Sequence, residues 1–169
     1  MTTDFRFFID VPVSTQWRHI ELLRASVQNC LAAVFSDVAG SDAIAMVTGE
    51  LLENAVKYGR WTNGDGVFRL RVWGDGEVGH IEVENPVGPD DAGPRQVREL
   101  LEWMAGFATP QEAYQARLLQ VASAPRGTAG GLGLARVAYE GGCRLRVEVL
   151  GEMFRVVAEM PMRRDEPAA

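Results

Sequence analysis

The sequence predicts an α+β domain with two layers, in which helices cover one face of a mixed, mostly antiparallel sheet of about five strands. Two pairs of alternating stretches, each pair joined by a glycine-containing turn, indicate two hairpins. One more alternating stretch opens the chain, and segments with helical apolar spacing lie between the strands. The 169 residues suit one domain, spanning positions 1–169, that is long enough to bury a core.

The first two predicted elements are a strand and a long helix. Polar and apolar residues alternate over residues 5–13, and Pro12 favours the edge of the sheet because proline lacks a ladder N–H. Ser14 is typical of a helix N-cap, so a helix is predicted from there to about Val38. Gly40 is predicted to end it.

A second helix and a hairpin follow. The helix is predicted to begin with Ser41 or Asp42 as its cap and to end at Gly59. Strands are predicted at residues 67–73 and 78–85, with a G-D-G turn between them. In the second strand the alternation turns Asn85 toward the same side as the apolar residues.

Residues of about 90–127 are predicted to form a helical insert. Its helices fall at residues 95–106 and 110–122, and Thr109 before Pro110 is typical of a helix start. Two interpretations stay open for its apolar side chains, which either pack on the core or form a surface for a partner or a second copy. These side chains are Leu100, Leu101, Trp103, Met104, Phe107, Tyr114, Leu118 and Leu119.

The most informative stretch is T-G-E-L-L-E-N-A-V-K-Y-G-R at residues 48–60. Glu50, Asn54 and Lys57 are spaced four and then three residues apart, so they form one polar stripe on a helix. Because the stripe borders the apolar face, its polar groups need partners. A metal-bound phosphate is one such partner, and the satisfied polar edge of an ordinary helix is the alternative.

The second informative stretch is the glycine run G-T-A-G-G-L-G-L at residues 127–134, which leads into a helix through about Tyr139. Glycines let backbone amides approach a ligand closely, and a helix start directs free N–H groups at an anion. No Lys-Ser or Lys-Thr pair follows the last glycine, so the P-loop pattern is absent. A plain flexible linker is the alternative. Strands at residues 143–150 and 153–160 complete the predicted sheet.

These two stretches together resemble the motifs of the GHKL group, which includes gyrase, Hsp90, histidine kinases and MutL. E-L-L-E-N-A-V-K-Y at residues 50–58 is similar to the N-box, and G-L-G-L at residues 131–134 is similar to the second glycine box. Within the group, the small size and the strand and long helix before the N-box most resemble anti-sigma-factor serine kinases and related partner-switching kinases. The resemblance covers nearly the whole chain and implies the Bergerat fold, ATP and Mg²⁺.

The resemblance also implies roles for individual residues. Asn54 is expected to bind Mg²⁺, Glu50 to activate the attacking hydroxyl or water, and Lys57 to lie near the phosphates. The remaining predicted ATP-binding residues are Asn85, Gly88, Gly130, Gly131, Leu132 and Gly133.

The adenine side departs from the family pattern. The first glycine box usually reads D-x-G-x-G, and the aligned stretch here is N-P-V-G-P at residues 85–89. Asn85 replaces the aspartate that accepts the adenine amino group, and Val87 replaces the first glycine. Met153 takes the place of a threonine that usually helps to hold adenine. Asn85 keeps a carbonyl acceptor, so the change weakens adenine recognition without excluding it.

The predicted function is an ATP- and Mg²⁺-dependent serine/threonine protein kinase of a bacterial partner-switching system, acting on a STAS-type antagonist or another regulatory protein. One alternative is a degenerate GHKL-like module that binds a regulatory partner without ATP turnover. Another is a stand-alone ATPase or a detached histidine-kinase catalytic domain.

Composition and charge limit the partners and the cellular location that are expected for this protein. The net charge of −6 disfavours a nucleic-acid partner, and no apolar run is long enough for a membrane span. A cytoplasmic location is predicted, and a homodimer stays open.

Overall fold

The computed structural model describes residues 5–12, 17–34, 38–60, 67–74, 77–125 and 130–161, and these contain five strands and five helices. In chain order the elements are β1 (Phe5–Pro12), α1 (Trp17–Val34), α2 (Val38–Tyr58), β2 (Val67–Gly74), β3 (Val78–Pro86), α3 (Ala92–Ala105), α4 (Pro110–Ser123), α5 (Leu132–Tyr139), β4 (Arg144–Leu150) and β5 (Met153–Pro161).

The strands form one sheet in the order β1-β2-β3-β5-β4, and every described pair is antiparallel. Both predicted hairpins are present, β2 with β3 and β4 with β5. The strand that contains Pro12 lies at one edge, as predicted, and β4 lies at the other. Gly151 forms the turn between β4 and β5 with a positive φ of 62°, a conformation that glycine adopts without strain.

One face of the sheet carries the core, and the helices pack against it. Leu70, Ile81 and Val83 on the sheet are 1% exposed or less, as are Val47 and Leu51 on α2. Burial of each such aliphatic side chain stabilises the fold by about 1.5–3 kcal/mol. The two-layer α+β architecture that the sequence predicts is confirmed.

The predicted boundary between the first two helices is wrong. α1 ends at Val34, and α2 already begins at Val38, so Gly40 lies inside the first turn of α2 and does not end α1. Glycine disfavours a helix by only about 0.8–1.0 kcal/mol relative to alanine, so a glycine in the first turn does not prevent the helix from starting before it. Asp42 does not cap α2 either, since its carboxylate accepts a hydrogen bond of 2.7 Å from Gln28 of α1. The predicted N-cap Ser14 lies outside the described residues.

The other face of the sheet carries charged side chains that pair across the strands. Glu84 on β3 is 3% exposed and accepts hydrogen bonds from Arg69 at 3.1 Å and Arg155 at 2.5 Å. Arg71 pairs with Glu82 on the same face. The arginines therefore cover the carboxylates on this face.

Each of the two predicted insert helices is present, and the two differ in their packing. Thr109 caps α4 as predicted, accepting a hydrogen bond of 3.2 Å from the Glu112 amide. Val97 of α3 is buried, whereas Leu118 and Leu119 of α4 are 45% and 69% exposed. Core packing thus accounts for α3, and α4 leaves an apolar surface uncovered. No helix in the described part of the chain is long and apolar enough to cross a membrane.

Candidate functional site

The polar stripe of α2 meets the first turn of α5. A Cβ added to Gly133 would collide with the Glu50 carboxylate oxygen Oε2 and would lie 3.8 Å from the amide nitrogen of Asn54. A residue with a side chain would therefore displace Glu50. The structure thus brings Glu50, Asn54 and Gly133 together, although Gly133 follows Asn54 by 79 residues along the chain.

A cavity of about 500 Å³ lies beside this contact. It is bounded by α2, α3, α4 and the start of α5, which places it beneath the helical insert. Its walls are formed by Asn54, Lys57, Tyr58, Gln96, Val97, Glu99, Leu100, Trp103, Arg117, Gly130, Gly131 and Leu134. A cavity of this size can hold a small-molecule ligand.

The glycine run approaches the cavity with its backbone. Gly131 caps α5 in a left-handed conformation with φ of 83°, and a Cβ there would lie 2.5 Å from Leu100. A Cβ on Gly130 would lie 2.7 Å from the Tyr58 hydroxyl and 3.8 Å from the Lys57 ammonium nitrogen. Helix N-termini direct unpaired N–H groups and a positive dipole end outward, which suits an anion. Leu132 begins α5 next to these glycines, and residues 127–129 lie outside the described part.

Asn54 fits the Mg²⁺ role that the resemblance implies. Its amide nitrogen is buried and has no hydrogen-bond partner among the described residues. A rotation of the carboxamide by about 180° exchanges nitrogen and oxygen, so the oxygen is able to take this position. Amide oxygen is a suitable ligand for Mg²⁺, which keeps several waters and needs few protein ligands. Among the described residues no group of three His, Cys, Asp or Glu side chains could hold a metal ion.

Glu50 has a partner that sequence reasoning missed. The Arg136 guanidinium of α5 donates a hydrogen bond of 3.2 Å to Glu50 Oε1 and one of 2.7 Å to Glu140. These bonds raise the pKa of Arg136 although partial burial opposes them, and the bond to Glu140 contributes most. Arg136 follows Gly133 by one helical turn, a spacing that could have indicated the contact.

A second arginine that sequence reasoning missed comes from the insert. Arg117 on α4 donates from Nε to the Gly130 carbonyl at 2.9 Å, and its NH2 group donates to the same oxygen. Its guanidinium carbon lies 5.8 Å from the centre of the Trp103 ring. Neither contact could be predicted from periodicity, because each joins separate elements.

The pKa of Glu53, which lies one helical turn from Glu50, is affected by its burial and by the nearby charges. Partial burial and then the charge of Glu50 raise the pKa of the Glu53 carboxyl above its ordinary value of 4.5, although Arg24 and Arg136 oppose this shift. The carboxylates near Glu50 therefore repel one another, and the two arginines reduce the repulsion.

The predicted adenine-side residues lie apart from the cavity wall. Asn85 is 2% exposed at the end of β3, and its amide nitrogen donates to the Pro86 carbonyl at 3.3 Å. A Cβ on Gly88 would collide with the Arg60 guanidinium. Neither Asn85 nor Gly88 contributes to the wall of the 500 Å³ cavity. Their assignment to adenine stays a prediction.

Comparison with known proteins gives a likeness at the level of the fold. No family model matches the sequence, and no curated protein matches it. A chain from the crystal structure of the SiaB–SiaC complex of Pseudomonas aeruginosa is similar with a TM-score of 0.65 and 15% identity, over 91% of this chain and 88% of that chain.

Two histidine kinase domains superpose less well. The domain from the Erythrobacter litoralis EL346 blue-light activated histidine kinase has a TM-score of 0.41 and 21% identity, over 74% of this chain and 48% of that chain. The catalytic domain of the histidine kinase ThkA has a TM-score of 0.43 and 14% identity, over 92% of this chain and 96% of that chain. The likeness in fold therefore rests on the chain from the SiaB–SiaC complex.

Proposed function

We propose that this protein is an ATP- and Mg²⁺-dependent serine/threonine protein kinase that acts in a bacterial partner-switching system. Its substrate would be a hydroxyl group on a small regulatory protein, of which a STAS-type antagonist is the expected class. One observation carries the proposal: Glu50 and Asn54 meet Gly133 beside a cavity that Lys57 and the glycine run also line.

The residues at this junction suit phosphoryl transfer. Asn54 would hold Mg²⁺, which when bound neutralises charge on the phosphates and orients them. Lys57 and the amides from Gly130 to Gly133 would bind the phosphate oxygens. Positioning and charge neutralisation supply most of the acceleration in this class of reaction.

Glu50 would act as the base. Its Oε1 is fixed by Arg136 and its Oε2 faces Gly133, so the carboxylate is held in one orientation. It would accept the proton of the substrate hydroxyl as that oxygen bonds to the terminal phosphorus. The bond from phosphorus to the ADP oxygen breaks, and ADP leaves with the electron pair.

Two observations support a protein substrate. Leu118 and Leu119 on α4 leave an exposed apolar surface on the insert that closes the cavity, and apolar patches of this kind mark interfaces. The chain of similar fold comes from a complex of two proteins, SiaB and SiaC.

Phosphate transfer with radiolabelled ATP tests the proposal. The chain would be incubated with Mg·[γ-³²P]ATP and a panel of purified STAS-type proteins from its source organism, with the Glu50→Gln variant as the control. The expected product is an acid-stable phosphoserine or phosphothreonine on one panel member, absent with Glu50→Gln. An acid-labile label would indicate a histidine kinase and contradict the proposal, and so would equal labelling by the variant.

A second candidate function is a binding module without ATP turnover. The observations that favour it are the ion pair between Glu50 and Arg136 and the position of Asn85 away from the cavity wall. This module would bind a panel member in the absence of nucleotide and transfer no label.

A further inference from the structure

Arg117, which belongs to the helical insert, is a second positively charged side chain in the cavity besides Lys57. Its side chain lines the cavity wall together with Lys57. Both cationic groups lie next to Gly130, since the Lys57 nitrogen is 3.8 Å from the position of a Cβ there and Arg117 binds the Gly130 carbonyl. Two cations at one glycine favour an anion at this end of the cavity, although Glu99 also lines its wall.

The orientation of the guanidinium is fixed by its neighbours. The Trp103 ring lies 5.8 Å from the guanidinium carbon, and NH1 donates to the Gln120 side chain at 2.9 Å. With the two bonds to Gly130, three of its five N–H donors are used among the described residues. Two donors thus have no partner among those residues.

The present partner of Arg117 is a weak one for a guanidinium. A backbone carbonyl is neutral, whereas a phosphate carries charge and accepts two parallel N–H bonds from the arginine fork. The guanidinium is charged in both bonds, but only an anionic acceptor adds a second charge that attracts it. An anion that enters beside Gly130 would therefore compete successfully for the guanidinium.

We propose that Arg117 is a polyphosphate-binding residue carried by the insert, and that a nucleotide polyphosphate replaces the Gly130 carbonyl as its partner. The exchange would free the Gly130 carbonyl from α4 when the ligand binds. Arg117 thereby couples the position of the insert to nucleotide binding. This inference rests on the proposed function, because the ligand is the same ATP.

Calorimetric titration of Mg·ATP tests the exchange. The variants are Arg117→Gln, which removes the charge, and Arg117→Lys, which keeps the charge but lacks the fork. Arg98→Gln is the matched control, since Arg98 is an exposed arginine of the same insert and does not line the cavity. Each titration is repeated over a range of NaCl concentrations, and each variant is checked by circular dichroism.

The expected result is that Arg117→Gln raises the Kd for ATP about 10- to 100-fold, as loss of hydrogen bonds to a charged ligand does. It should also flatten the dependence of Kd on salt, because one screened charge contact is lost. Arg117→Lys should weaken binding less and keep the salt dependence, and Arg98→Gln should bind like the parent chain. If Arg117→Gln does not fold, the lysine variant alone decides, with a raised Kd as the supporting result.

Two results would overturn the inference, and they differ from failure of the proposed function. Unchanged ATP affinity of the Arg117 variants would remove Arg117 from the site while leaving the kinase proposal intact. Weaker binding by Arg117→Gln with the salt dependence of the parent chain would make Arg117 only a structural support of Gly130. Absence of ATP binding by the parent chain would contradict both the kinase proposal and this inference.

Discussion

At the scale of single residues, the glycines of the run are required by close packing as well as by flexibility. Gly131 has a φ of 83° and faces Leu100, whereas Gly142 has a φ of 60° and no heavy atom within 4 Å of its Cβ position. The two positions share a left-handed backbone and differ in their surroundings. A comparison of substitutions at these two positions therefore distinguishes the cost of backbone strain from the cost of crowding beside the cavity.

We expect Gly131→Ala to destabilise the fold by about 2–4 kcal/mol and to weaken ATP binding, because strain and overpacking combine there. Gly142→Ala should cost only about 1 kcal/mol, since the Cβ meets open space. Chemical denaturation and ATP titration measure both effects. Equal losses of stability in the two variants would show that crowding at Leu100 is unimportant.

Arg136 is a positioning residue for Glu50 in our account. Replacement of Arg136 with Met should lower phosphate transfer about 10- to 100-fold by releasing the carboxylate, with the Kd for ATP unchanged. Arg136→Lys should restore much of the rate because it keeps a charge beside Glu50. Single-turnover rates and calorimetry separate the two quantities. A loss of ATP affinity that lysine does not restore would instead indicate a structural ion pair.

At the scale of elements, ion pairs join neighbouring strands on the face of the sheet away from the helices. Burial opposes ionisation of Glu84, but hydrogen bonds from Arg155 and Arg69 outweigh it and hold the pKa of the carboxyl below its ordinary value of 4.5. Because the folded-state pKa is the lower one, the stabilisation is present above pH 4.5 and is lost as the pH falls through the folded-state pKa.

Replacement of Glu84 with Gln should therefore destabilise the protein at neutral pH by about 3 kcal/mol, since it leaves partly buried arginines without their carboxylate. The difference from the parent chain should shrink as the pH falls below 4.5. Urea denaturation from pH 3 to pH 7 would measure it, with the exposed Glu102 of α3 as the control position. A difference that is constant across this range would contradict the ionic origin of the effect.

Elements were predictable where one local signal dominates. Thr109, Pro110 and Glu112 specify the start of α4 through contacts within four residues, and Gly59 follows the end of α2 as predicted. Gly40 misled because glycine is a common helix terminator and is also tolerated in a first turn, so its neighbours in sequence do not decide between these roles.

At the scale of the whole molecule, alternation and helical spacing were enough to predict the two layers and the sheet, because a buried face requires them. The junction of Glu50 and Asn54 with Gly133 followed from the resemblance in motifs. Arg136 could have been inferred from its position one helical turn after Gly133, whereas Arg117 was missed because its contacts depend on how helices far apart in sequence are placed. Tertiary contacts of this kind have no periodic signature in one sequence.

We propose that one edge of α2 and the glycine run hold a magnesium triphosphate, and calorimetric titration of Mg·ATP into the nucleotide-free protein tests this proposal. We predict binding of one nucleotide per chain that EDTA weakens, and that Asn54→Ala weakens about tenfold or more through loss of the Mg²⁺ ligand. Asn29→Ala, an exposed position on α1, serves as the control and should bind normally. No heat at millimolar nucleotide, or equal affinity of the Asn54→Ala variant with and without Mg²⁺, would contradict the account.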